Sequence, residues 1–462
     1  MNSQRDKPPN IILIVLDALR LDTSYPLRTT LHDFISYSNA ISTAPWTLPS
    51  HASMFTGLYP SQHGAHETDH IKCTDIGLIR NTHTTINVRL KAFGYKSYGF
   101  SANILVTPTY GFDFDVFDSP YFSFPWPRFL EGLTGSERET FERYLSTRKA
   151  IDGISSILLL SVHNPLKLVS LFSILTQRTA AKCGSDWPRE KGGAKALDFV
   201  KRTAFREPFF MFLNLLEIHE PYFKSDNLLN GLTPRHIDTI KPSDLRRWIN
   251  GYNSQFLLLQ KRLIEILKEL DERKVLDRSV VVVTSDHGQM LGEHGWVGHG
   301  SFLYDELIKV PLLIRYPPNS NVKFDDPHGV ISLANLPAFF QDLAKGVYTD
   351  TCLYRSTAFA ESWGLYEKVP PKREKIARTV LPTLSKRRVA VYSGSSKLTY
   401  NITDEKVEEF VSAAAENGGA VQAYLKSLCV DFMSAERKMS NDVTSDEDDA
   451  LVLDQLRRLG YI

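Results

Sequence analysis

The chain has 462 residues, of which 42% are apolar and 23% charged, with a net charge of +1. That is length enough for one large domain with an appendage or for two ordinary domains, and the near-zero charge excludes an electrostatic case for nucleic acid as a partner. Four widely spaced cysteines, Cys73, Cys183, Cys352 and Cys429, include no Cys-x-x-Cys pair, which argues against a disulfide framework or a thiolate zinc site.

Residues 1–10 are polar and contain two prolines, and the apolar run that follows, 11–16, is too short for a signal peptide. No stretch reaches the ~18–20 apolar residues that a membrane span needs. The best candidate, 154–162, is stopped by His163, Asn164 and Pro165. The expectation is a cytoplasmic protein with no membrane span and no nucleic-acid partner.

Residues 10–16 are continuously apolar and β-branched, as in a strand buried on both faces of a parallel sheet, and they run into Asp17. The segment Trp46-Thr47-Leu48-Pro49-Ser50-His51 reads as a strand-to-helix turn with Pro49 in the first helical turn. Thr47 then sits at a helix N-terminus, where unpaired N–H groups and the dipole favour an anion. Its hydroxyl is either a nucleophile or simply a cap. A short strand at 97–100 leads to Ser101-Ala102-Asn103.

From 122 to 186 the rhythm changes, aromatic at first and then amphipathic, and this reads as an inserted helical segment, either a lid near the site mouth, a layer on the sheet or a membrane-surface element. A strand at 208–216 ends near Glu217 and His219, and the longest helical pattern covers 238–270. The strand 279–284 runs into Asp286-His287-Gly288. From Asp286 to Gly300 there are three histidines, two acids and five glycines. Carboxylate and imidazole donors suit a divalent cation, and glycines let a loop wrap closely around it. His294 in this loop is either a ligand or a brace. Beyond about 371, residues 388–392 and 397–400 read as a small antiparallel pair, and the chain from Thr403 onward reads as helical.

Alternating strands and helices predict an α/β fold with a mostly parallel sheet, whose sites form beyond the carboxyl ends of the strands. Asp17, Asp286 and His287 all lie at that edge.

These motifs in this order resemble the sulfatase family of the alkaline phosphatase superfamily: Asp17 after the first strand, Thr47-Leu-Pro-Ser-His51 leading to Thr56-Gly57, Asp286-His287-Gly288 through Tyr304-Asp305-Glu306, and the closing Leu456-Arg-Arg-Leu-Gly460-Tyr461. The resemblance implies an alkaline phosphatase-like α/β sandwich over about 1–375 and a small α+β C-terminal subdomain over 376–462. It implies a divalent cation held by Asp17, Asp286 and His287, with the Thr47 oxygen completing the shell. Manganese, zinc, magnesium and calcium all suit such a set, at one site or, with a second cation, two.

Most members carry Cys or Ser where Thr47 stands and convert it to formylglycine, and an arginine where His51 stands. Threonine cannot be so converted. The implied roles are Thr47 as nucleophile, His51 and Asn103 orienting substrate oxygens, and His219 contacting substrate. His299 would protonate the leaving oxygen or, with His219, hold a second cation. The implied substrate is a sulfate, phosphate or phosphonate ester of a small molecule, glycan or lipid head group. Alternatives of other classes are a phosphoethanolamine- or phosphoglycerol-type transferase and a binding protein on the same scaffold.

Overall fold

The computed structural model describes residues 8–66, 84–119, 189–222, 234–318, 329–364, 374–412 and 418–440, together with 135, 320 and 322. The expected insertion at 122–186 apart from Gly135, the closing motif 456–461, Cys73 and Cys183 lie outside the described residues.

Among the described residues, nine strands form the central sheet. They are β1 (Asn10–Leu16), β2 (Ile35–Ile41), β3 (Lys96–Ser101), β4 (Val116–Asp118), β5 (Phe209–Leu215), β6 (Ser279–Thr284), β7 (Lys309–Arg315), β8 (Val330–Ser332) and β9 (Tyr354–Arg355). Their order is β9-β8-β2-β7-β6-β1-β5-β3-β4. The run β6-β1-β5-β3-β4 is parallel throughout, while β7 is antiparallel to both of its neighbours. The expected mostly parallel sheet is present, with β1 at its centre.

The apolar run in β1 explains that central place. Ile11, Leu13 and Val15 pack into one core and Ile12, Ile14 and Leu16 into another, because successive side chains point to opposite faces. Phe210 and Phe212 of β5 join the first core, and Met211, Leu213 and Leu215 the second. Helices α1 (Thr47–Thr56) and α4 (Leu336–Ala344) cover the first face through Leu48, Phe55, Phe339 and Phe340. Helices α2 (Gly193–Arg202) and α3 (Pro242–Glu272) cover the second through Phe199, Tyr252, Leu259 and Leu263. With both faces covered, side-chain chemistry is left to the strand ends.

A second, four-stranded antiparallel sheet holds β10 (Ala358–Ser362), β11 (Arg388–Ser393), β12 (Ser396–Asn401) and β13 (Lys406–Val411). Helix α5 (Gly418–Ser440) packs Leu425 and Cys429 on Val389, Val391 and Leu398. The sheet draws its edge strand β10 from before residue 375. The helix expected from Thr403 is a correction: 406–411 is strand β13, and the helix begins only at Gly418. The alternation of Lys406, Val407 and Glu408, with Phe410 after a register shift, suits a half-covered edge strand pairing with β12. Cys352 and Cys429 are free thiols. Among the described residues, no helix is long and apolar enough to cross a membrane.

Candidate active site

Three parallel strands deliver the acidic and imidazole groups to one edge. Asp17 follows β1, and its N–H still bonds to the Leu215 carbonyl at 2.9 Å, extending the ladder by one residue. Ala18 then takes a left-handed conformation at φ 66°, which turns its N–H onto Asp286 Oδ1 at 3.1 Å. Tyr252 of α3 fixes the same turn, donating to the Ala18 carbonyl and accepting from the Arg20 N–H, both at 3.0 Å.

Asp286 and His287 follow β6 and are fully buried, as is Asp17. One ligand atom from each of the three lies within 4.8 Å of the others. His287 Nδ1–H donates to the Gly288 carbonyl at 2.8 Å, which leaves Nε2 carrying the lone pair. Asp17 Oδ1 and Asp286 Oδ2 are buried oxygens with no hydrogen-bond partner. Two orphaned carboxylate oxygens facing an imidazole nitrogen make a costly arrangement in a protein interior unless a cation sits among them. The donor set therefore fits a divalent metal.

Burial, and for Asp17 also the charge of Asp286, pushes the carboxyls up to about 6 for Asp17 and about 7 for Asp286. Burial pushes His287 down to about 4.

The loop after β6 is held close by Gly288. Its N–H bonds to the Leu307 carbonyl at 2.7 Å, and a Cβ built there would lie 2.0 Å from the Glu306 carbonyl oxygen. Gly288→Ala is expected to cost about 1–3 kcal/mol or more, because backbone on backbone has no rotamer to yield. A thermal melt within error of wild type would contradict this.

Thr47 is the first residue of α1. The preceding Trp46 is extended, and no side chain caps the helix, so the Thr47 hydroxyl does not cap its own helix. It lies instead 3.3 Å from His287 Nε2 and 3.3 Å from Asn103 Nδ2. Asn103 Nδ2 also donates to Asp17 Oδ2 at 2.9 Å, tying the end of β3 to the ligand on β1. Of the expected residues, the fold thus brings together Asp17, Thr47, Asn103, Asp286 and His287.

His51 lies close by but with its nitrogens engaged in the core. Its Nδ1–H donates to the Thr47 carbonyl at 2.9 Å, and its Nε2 accepts from Asn214 Nδ2 at 3.2 Å. Phe112 and Phe212 meet its ring edge to face, and burial pushes it down to about 3, so it is neutral. This geometry makes His51 a brace beneath Thr47. Asn214 also reaches Asp17 Oδ2 at 3.4 Å. A chain of contacts therefore runs from the Thr47 backbone through His51 and Asn214 to Asp17.

Sequence reading passed over Asn214; a polar residue inside the apolar run of β5 was the available signal. Asn214→Ala is expected to weaken divalent-cation binding by about 10–100-fold, the usual effect of losing a group that orients a ligand. Calorimetric titration on the folded variant checks this, and unchanged affinity would refute it.

His219 and His299 stand together at the border of this cluster, ring centroids 5.0 Å apart, and His299 lies 4.4 Å from the His287 ring. His294 is a brace: it stacks on Tyr304 at 3.7 Å and meets Glu306 at 3.2 Å.

The family pattern described as Sulfatase matches residues 9–347. The chain belongs to the sulfatase family. An N-acetylglucosamine-6-O-sulfatase of Bacteroides thetaiotaomicron is 36% identical over 72 residues, 16% of this chain and 13% of that protein. The matched stretch is thus a small part of that relative. An arylsulfatase of Clostridium perfringens is 23% identical over 355 residues, covering 67% of this chain and 69% of its own. Among solved structures, a phosphonate monoester hydrolase from Silicibacter pomeroyi superposes with a TM-score of 0.57 at 15% identity, covering 93% of this chain and 95% of its own, a likeness of fold.

Proposed function

We propose that this sulfatase-family chain hydrolyses a sulfate or phosphorus ester, with Thr47 as the nucleophile. The observation that carries the reading is the Thr47 hydroxyl, 3% exposed at the N-terminus of α1 and within 3.3 Å of both His287 Nε2 and Asn103 Nδ2. A divalent cation held by Asp17, Asp286 and His287 would lower the pKa of that hydroxyl and offset negative charge on the ester.

The chain's own residues supply the rest. The backbone N–H groups of Thr47 and Leu48, ahead of Pro49 in the first turn of α1, would favour an anionic group bound beside Thr47. Asn103 holds the threonine oxygen and Asp17 in one register, and neutral His51 fixes the Thr47 backbone without adding charge. In the first half-reaction the threonine hydroxyl gives up its proton and its oxygen bonds to phosphorus or sulfur, while the bond to the leaving oxygen breaks and that oxygen takes up a proton. In the second, water attacks the same centre and the threonine oxygen leaves, again protonated.

Chemistry favours phosphorus over sulfur. A formylglycine hydrate expels sulfate by collapsing to an aldehyde, with no attack at sulfur. A threonine ester has no such exit and needs that second attack, which a phosphoryl group supports. The names of the relatives, a glucosamine sulfatase and a phosphonate ester hydrolase, span both choices.

The test is a panel of aryl sulfate, phosphate monoester, phosphodiester and phosphonate monoester on metal-stripped protein resupplied with manganese, zinc, magnesium or calcium. Cation-dependent turnover with a phosphorus ester preferred supports the reading. Aryl sulfate cleaved far better than every phosphorus ester would reverse the preference, and no turnover with any cation would sink the hydrolase reading for simple esters.

A further inference from the structure

We propose that Ser50 is a positioning residue: by tying helix α1 to the backbone of Asp286, it sets the Thr47 hydroxyl against the edge where Asp17, Asp286 and His287 meet. The inference rests on the reading of Thr47 as nucleophile. No side chain caps α1, so its first turn must be held in another way. His51 ties that turn to Asn214 of β5. Ser50, fully buried, supplies a second tie, to the loop after β6: its hydroxyl donates to the Asp286 carbonyl at 2.7 Å.

Thr47 and Ser50 are three residues apart, and side chains at that spacing are neighbours on one side of an α-helix. A tie at Ser50 therefore controls the face from which the Thr47 hydroxyl projects. That hydroxyl lies 3.3 Å from Nε2 of His287, the residue after the tied carbonyl. Two adjacent helix side chains thus meet two consecutive loop residues. A pair of contacts between two rigid segments fixes rotation as well as distance, which a single contact cannot do. Attack needs the oxygen about 3–3.5 Å from the reacting centre and in line with it, and a shift of about 1 Å can cost about a hundredfold in rate.

The carboxylate of Asp286 is aimed by other groups. Its Oδ1 accepts from the N–H of Ala18 at 3.1 Å and from that of His287 at 2.9 Å, and neither donor belongs to α1. Ser42, which follows β2, also donates to the Asp286 carbonyl, and its Oγ lies 3.0 Å from Ser50 Oγ. The Ser42 N–H bonds to the Ile308 carbonyl at 2.8 Å, which seats this serine beside β7. Removing the Ser50 hydroxyl therefore leaves the buried carbonyl a donor, and the penalty for an orphaned acceptor does not arise. What is lost is the link to α1, so the aim of Thr47 depends on Ser50 while the aim of the carboxylate does not.

Ser50→Ala is expected to melt close to wild type, to bind manganese in calorimetric titration as wild type does, and to lower kcat on the best ester about 10–100-fold with KM little changed. In a Thr47→Ala background the same change should add no further loss, because Ser50 acts through Thr47. A residue that serves only the fold would cost the same factor in both backgrounds. Equal losses in the two backgrounds overturn the proposal, and so does a kcat within error of wild type. Manganese affinity falling in step with kcat overturns it by making Ser50 a support of Asp286. A variant that does not fold overturns it too, since Ser42 should keep the carbonyl satisfied. A crystal structure of Ser50→Ala reads the placement without any substrate. Thr47 Oγ1 is expected beyond hydrogen-bond reach of His287 Nε2, and finding it still at 3.3 Å overturns the proposal. A displaced Thr47 in a protein whose wild type cleaves no ester upholds the positioning and overturns the nucleophile reading.

Discussion

Thr47→Ala is expected to lower kcat/KM on the best ester of the panel by roughly a thousandfold or more, about 4 kcal/mol of transition-state stabilisation. The variant should still fold and still bind its cation. The Thr47 hydroxyl caps nothing in α1, and among the described residues its hydrogen-bond contacts run to Asn103 and to His287 Nε2. Removing it leaves Asp17, Asp286 and His287 in place, so the loss should fall on kcat with little change in the melting temperature. Thr47→Ser separates chemistry from shape, because it keeps the hydroxyl and deletes one methyl group. It should retain activity within about tenfold, since one buried methyl is worth only about 1 kcal/mol. Steady-state kinetics with matched metal content decides the matter. Full activity in Thr47→Ala would assign the nucleophile elsewhere, and a metal-free Thr47→Ala would show that the hydroxyl serves binding first.

The central sheet was legible because β1, β5 and β6 are apolar on both faces, a pattern that only a covered parallel sheet satisfies. Once those strands were placed, Asp17, Asp286 and His287 had to meet, since β1 pairs in register with both β5 and β6. Thr47 was harder. From sequence its hydroxyl could cap α1 or face the ligands, and only the extended backbone of Trp46 and the distance to His287 separate the two.

His51 looked like a substrate contact because it stands where relatives carry arginine. Its burial against Phe112 and Phe212 is a tertiary fact that its neighbours in sequence do not encode. Gln289 was invisible, and Asn214 easily passed over, for a similar reason. Each is an ordinary amide in sequence and becomes important only when two distant segments close on it, Glu220 with His299 for the first and His51 with Asp17 for the second. The strand at 406–411 was misread because its pairing with β12 runs through a register shift that breaks the alternation of its side chains.

Cation binding at Asp17, Asp286 and His287 is expected to strengthen steeply with pH and to level off above about 7. In the metal-free protein Asp17 holds its proton up to about 6 and Asp286 up to about 7, because burial penalises both charges and, for Asp17, the charge of Asp286 adds to it. A cation must displace those protons, so apparent affinity should fall about tenfold per pH unit for each proton released, and up to about a hundredfold per unit below pH 6. His287, held down to about 4, is already neutral across that range and adds no competition.

Stability of the metal-free protein should depend far less on pH. A carboxyl whose folded value is raised contributes stability at low pH and loses it as pH climbs through that value. His287 and His51, both lowered, contribute above their ordinary values near 6.5 and lose that contribution in acid. Between about 4 and 6 the two carboxyls and two imidazoles nearly cancel, since folding takes up as many protons on one pair as it releases from the other. The cancellation continues through pH 6–7, because the unfolded imidazoles release their protons near 6.5, between the folded carboxyls at about 6 and about 7. These four groups should therefore leave the metal-free melting temperature nearly flat from about pH 4 to 8. A saturating cation keeps the folded carboxyls ionised throughout, so the gain on adding metal should be small at pH 5 and large at pH 8. Melting curves at both values, with and without cation, test this directly. An equal gain at the two pH values would mean that the orphaned oxygens of Asp17 and Asp286 are not where the cation binds.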